Sequence, residues 1–121
     1  MPDPTLDPGG LGVLLETIGG DRGFLAELIE TYLSDTPGLF TQLRDGLAAG
    51  DAPGVRRAAH TLKSTSATFG AVRLAAIARE VETAAADNDL TGADRRIDAA
   101  QAEFDLVRGL LQATVDAGVP T

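Results

Sequence analysis

The stretch VRRAAHTLKSTSATF, residues 55–69, decides how the whole chain is read. Its residues Val55, Ala59, Leu62, Ser66 and Phe69 recur at alternating steps of four and three, the spacing that lines one side of an α-helix. With roughly 100° of turn per residue, His60 then points about 140° away from that inward stripe and faces solvent. Arg56 lies one turn before it, Lys63 and Ser64 one turn after and Ala67 two turns after, so the neighbourhood reads as basic and small. The chain contains a single histidine and, at Lys63, a single lysine.

The same periodicity extends in both directions, whereas β-branched and aromatic residues are sparse and no segment alternates cleanly. Upstream, Leu11 to Ile18 reads as a short helix stopped by Gly19-Gly20, and Asp21 as the N-cap of a long one. That second helix runs to about residue 48 on a stripe through Phe24, Leu25, Leu28, Ile29, Tyr32, Leu33, Phe40, Leu43 and Leu47, with a kink expected at Pro37. Asp51 caps the helix that carries His60, with Pro53 tolerated in its first turn. Downstream, Gly70 breaks the chain, and a fourth helix places Leu74, Ile77, Ala78, Val81 and Ala84 inward before the polar run Asp87-Asn88-Asp89. Thr91 and Asp94 resemble a capping box opening a fifth helix that buries Ile97, Ala100, Phe104, Val107 and Leu111. Four long amphipathic helices on short connections predict an all-α, antiparallel up-down-up-down four-helix bundle with a short extra N-terminal helix. Residues 11–117 form its single domain, flanked by a flexible N-terminal tail at 1–10 and a C-terminal tail at 118–121.

Composition narrows the function. The 121 residues suit one domain, and apolar and charged shares of 44% and 23% are ordinary globular usage. A net charge of -8 opposes binding to a phosphate backbone, so nucleic acid is not an expected partner. The absence of cysteine removes disulfides, thiolate metal sites and thiol chemistry and fits a reducing cytoplasm. No run of apolar residues is long enough for a membrane span, and the start has no signal-peptide pattern.

Chemistry therefore concentrates on His60. An exposed imidazole is substantially neutral at neutral pH, and one ring nitrogen then offers a lone pair for attack on phosphorus. Lys63, with Arg56, stands where fixed cations stabilise charge on a transferring phosphoryl group, while Ser64 and Ala67 leave the approach open. A solvated surface histidine beside Lys and Arg would fit the same geometry, and periodicity alone does not separate the two.

The segment Ala59-His60-Thr61-Leu62-Lys63-Ser64, followed by Phe69-Gly70-Ala71 and Leu74, resembles the signature of histidine-containing phosphotransfer (HPt) domains. The likeness continues through Gly20-Asp21, Phe24-Leu25, Thr36-Pro37, Gly50-Asp51, Val81-Glu82 and Phe104 with Val107 and Leu110. It implies that His60 is the phosphorylated residue, Lys63 the basic residue assisting phosphoryl binding and Gly70 the tight turn between two bundle helices. Ser64 stands where the family most often has glycine, adding a hydroxymethyl group beside the imidazole.

The resemblance further implies a phosphohistidine carrier with no kinase activity of its own, working in the cytoplasm. Its partners would be response-regulator receiver domains, a hybrid sensor histidine kinase, or both. No cofactor or metal is expected on this chain, the Mg2+ belonging to the receiver, and the domain is expected to be a monomer. A chemotaxis-type context would instead make an ATP-using kinase domain the donor. Two rivals differ in class. A non-catalytic helical interaction module would be indifferent to loss of His60. A hydrolase would need a carboxylate orienting the lone histidine beside a nucleophile, which its basic neighbours do not suggest.

Overall fold

The computed structural model describes residues 4–7 and 9–118, and five helices make up nearly all of it. They are α1 (Gly10–Thr17), α2 (Arg22–Ala48), α3 (Ala52–Thr68), α4 (Val72–Ala86) and α5 (Ala93–Asp116). No strand occurs among the described residues. Helices α2 to α5 pack in cyclic order, each against its neighbours in sequence and α5 back against α2, which closes the four-helix bundle; α1 leans on α2.

Local chemistry sets the helix starts. The Asp21 carboxylate accepts the Phe24 N–H at 2.9 Å and the Asp51 carboxylate accepts the Gly54 N–H at 3.0 Å, each filling a donor that the first turn leaves open. Helix α2 runs through Pro37 without a break, because Thr36, Phe40 and Leu43 remain buried on either side of it. The expected capping box at Thr91 and Asp94 does not form. Asp89 instead accepts the Thr91 N–H at 2.9 Å, and Gly92, at φ +75°, occupies the N-cap position that starts α5. An Asx-type turn followed by a left-handed glycine has done the capping by geometry rather than by a side chain at Thr91.

The core is built from Leu25, Ile29, Leu43, Val55, Leu62, Leu74, Ile97, Phe104 and Leu111, all essentially without exposure. Each such side chain contributes about 2 kcal/mol by leaving water, which is why the pattern of steps of three and four is so insistent. Tyr32 stacks on Phe69 at 4.7 Å between ring centres and meets the edge of Phe104 at 6.0 Å. Its hydroxyl shares a 2.7 Å hydrogen bond with the buried Ser66, which explains a serine on an inward stripe, and burial pushes that phenol up to about 12. Phe24, read as part of the inward stripe of α2, is 44% exposed. It sits in the first turn of α2, one position before the buried Leu25, and faces outward there.

Part of the N-terminal segment read as a flexible tail is tied down. Asp7 donates its N–H to Gly70 at 2.7 Å, Arg73 donates to Pro4 at 3.2 Å, and Leu6 packs on the core. Residues 1–3 and 8, and 119–121 of the C-terminal tail, lie outside the described residues. Gly70 turns at φ +74°, and a Cβ added to Gly10 would stand 2.9 Å from the Gly70 Cα, so α1 starts directly against the α3–α4 turn.

Candidate functional site

His60 lies midway along α3, with the buried Val55, Ala59, Leu62 and Ser66 on the opposite side, and its side chain is 60% exposed. The geometry derived from the stripe is therefore the one observed. The helix facing it is α4, which buries Leu74, Ala78, Val81 and Ala85 and carries Glu82 on the flank of that stripe.

Glu82 joins the two residues singled out by sequence. Its Oε2 lies 2.6 Å from His60 Nδ1 and its Oε1 2.5 Å from Lys63 Nζ. The carboxylate is only 15% exposed, and Lys63 is 31% exposed. The Lys63 hydrogen bond holds the Glu82 carboxyl below its usual range, with further help from the His60 hydrogen bond and both charges, against an opposing push from burial. An ionised carboxylate only accepts, so Nδ1 of a neutral imidazole must be the donor in this pair.

The basic neighbourhood read from the sequence is thus corrected to a mixed one. Arg56, Arg57, His60 and Glu82 line one open depression, floored by Ala52 and Ala85 at the end nearer the α4 C-terminus. Ser64 is exposed on the same helix and forms no wall of it. Ala67 is also exposed and belongs to a second depression further along α3, with Val13 and Thr17 of α1. Gly70 stands at the turn beyond, as the packing of Gly10 against it requires.

Glu82 carries no role in the sequence reading, although one signal points to it. In an antiparallel pair folded about Ala71, His60 lies eleven residues before the turn and Glu82 eleven after, so the two sit level. The carboxylate that a hydrolase would need is consequently present. Among the described residues, however, no hydroxyl hydrogen-bonds to the imidazole, and neighbouring Thr61 gives its hydroxyl to the Arg57 carbonyl at 3.2 Å. No described helix is long and apolar enough to cross a membrane.

Comparison with known proteins agrees with the fold. Residues 27–117 match the family described as Hpt domain. The fold is similar to the crystal structure of histidine-containing phosphotransfer protein B from Pseudomonas aeruginosa PAO1, with a TM-score of 0.85 and 33% identity over 91% of this chain and 93% of that one. No curated protein sequence matches significantly.

Proposed function

We propose, from the premise that this chain belongs to the Hpt domain family and so has a phosphorelay role, that His60 is the residue that carries the phosphoryl group. The observation that carries this reading is a 60% exposed imidazole at the middle of a helix, tied through Glu82 to the chain's one lysine. In the forward step a ring nitrogen forms the N–P bond while the P–O bond to a receiver aspartate breaks and the carboxylate leaves with the electron pair. The reverse sequence hands the group to the next aspartate. Lys63 supplies fixed positive charge to the phosphoryl oxygens, and Arg56 supports it from one turn away.

Hpt domains act with receiver domains and kinases. For this chain we take receiver domains, or a hybrid kinase that contains one, as the partners, acting on the monomer in the cytoplasm. The docking face is read as the surface around His60 continued onto α1 and α2. Support comes from exposed Val13 and Phe24 and from an apolar groove of about 550 Å³ between α2 and α3, lined by Leu28, Tyr32, Leu39 and Thr61. Arg56 and Lys63 would complement an acidic receiver pocket.

The test is phosphoryl uptake by the purified protein from phosphoramidate and from a panel of phosphorylated receivers. Wild type is expected to take an acid-labile, alkali-stable label that His60→Gln abolishes. A folded wild type that accepts nothing from any donor would instead support the non-catalytic interaction module.

A further inference from the structure

We infer that Ser64 is a phosphoryl-binding residue, whose hydroxyl donates a hydrogen bond to a phosphoryl oxygen once the group is on His60 and so sets how firmly the domain holds its load. The inference rests on His60 as the carrier and deepens that reading.

Helix α3 carries five hydroxyl side chains, at Thr61, Ser64, Thr65, Ser66 and Thr68, and four of them are engaged. Thr61, Thr65 and Thr68 give theirs to the carbonyls of Arg57, Thr61 and Ser64, at 3.2, 2.9 and 3.0 Å, and Ser66 shares its hydrogen bond with Tyr32 in the core. Ser64 is the exception. It is exposed, and its hydroxyl has no hydrogen-bond partner among the described residues.

The place of that hydroxyl decides what it can reach. Side chains four apart on a helix stand about 5–6 Å from each other at Cβ, and each leans back toward the N-terminal turn. Ser64 follows His60 by four, so its hydroxyl leans toward the imidazole. With about 100° of turn per residue, Lys63 is rotated about 60° from His60 toward α4, where it meets Glu82, and Ser64 about 40° to the other side. Because Nδ1 is held at Glu82, Nε2 is the ring nitrogen left open to phosphorus, on the side of the ring away from α4. Lys63 and Ser64 therefore bracket the place of the phosphoryl oxygens, a cation on one flank and a neutral donor on the other. No bond to Ser64 forms or breaks. As Nε2 forms the N–P bond and the aspartate carboxylate leaves with the electron pair of the P–O bond, Oγ keeps its proton and points it at a phosphoryl oxygen. A hydrogen bond to a charged oxygen is the strong kind, and before transfer this hydroxyl has no such acceptor among the described residues, so the contact favours the loaded state over the empty one.

Two substitutions separate the hydroxyl from its bulk. Ser64→Ala removes only the oxygen and suits an exposed helical position, so the bundle keeps its fold; Ser64→Gly removes the side chain altogether. Wild type and both variants are loaded from phosphoramidate and compared. The label is expected to last about fivefold less long in each variant than in wild type, the effect of one ordinary hydrogen bond. In transfer from a phosphorylated receiver that loads wild type, the equilibrium constant for loading should fall by about the same factor. The 31P NMR signal of the loaded domain should titrate at a higher pH in both variants, because a donor to the phosphoryl oxygens favours their charged form.

A Ser64→Ala domain that matches wild type in label lifetime, with Ser64→Gly alone departing, would mean that Ser64 acts through bulk and would overturn the inference. A 31P titration that is the same in wild type and Ser64→Ala would overturn it too. The two readings fail separately. A labelled wild type with an unaltered Ser64→Ala removes the role of Ser64 and leaves His60 as the carrier, whereas a wild type that takes no label from any donor removes the carrier and the inference with it.

Discussion

Helix α3 carries two polar pairs of nearly equal length on opposite sides, and they do opposite work. Inside the bundle the Tyr32 and Ser66 hydroxyls lie 2.7 Å apart, with both residues buried; at the surface His60 Nδ1 and Glu82 Oε2 lie 2.6 Å apart, with the imidazole 60% exposed. Length therefore does not distinguish structural from chemical. Water does: the inner pair has no alternative partner if one member is lost, whereas the outer imidazole can fall back on solvent. The inner pair thus bears on stability, and the outer one, on the function proposed for His60, on reactivity.

That contrast can be broken in a graded way. The largest stability effect belongs to the inner pair. Tyr32→Phe, which strands the Ser66 hydroxyl in the core, is expected to cost about 1–3 kcal/mol in urea unfolding. Adding Ser66→Ala should return part of that loss; a double variant worse than the single one would mean that Ser66 is held by something other than Tyr32.

The outer pair should register more weakly, and only in acid. Glu82 has its carboxyl lowered in the folded state, first by the Lys63 hydrogen bond, so its stabilisation is present above the usual carboxylate value of 4.5 and disappears as pH falls through the lower folded value. The difference between wild type and Glu82→Gln in urea titrations is expected to be below about 1 kcal/mol at neutral pH and to vanish on acidification below that range. A gap that widens in acid would reverse the assignment. Smallest of all is the Arg44–Asp98 bridge, 3.1 Å long between two well-exposed side chains. Arg44→Ala should change the unfolding free energy by no more than about 0.5 kcal/mol, which fixes the scale of a surface pair that has no chemistry to perform.

The sequence disclosed most of the fold because the core demands a regular period. Val55, Ala59, Leu62 and Ser66 are buried, and Asp21 and Asp51 cap α2 and α3, since both facts are decided within a few residues of chain. The start of α5 went to Asp89 and Gly92 rather than Thr91 and Asp94, a choice between neighbouring turn geometries that composition does not rank. Phe24 has the spacing of the inward stripe, but in the first turn of α2 that spacing does not decide burial, and the ring stays 44% exposed. Within the site, His60 and Lys63 were legible since they share one helix. Glu82 was not, because its contact with them crosses 22 and 19 residues of chain and exists only once α3 and α4 are side by side.

The position of His60 at the middle of α3, in an open depression on the outside of the bundle, has a consequence for traffic. A nucleophile in a cleft admits visitors along one axis and so favours one shape of visitor. A side chain that stands 60% exposed in an open depression leaves a wider cone of approach. A phosphorelay intermediate that takes its load from one protein and surrenders it to another gains from that openness, and on the function proposed here the one imidazole of His60 is the berth for both.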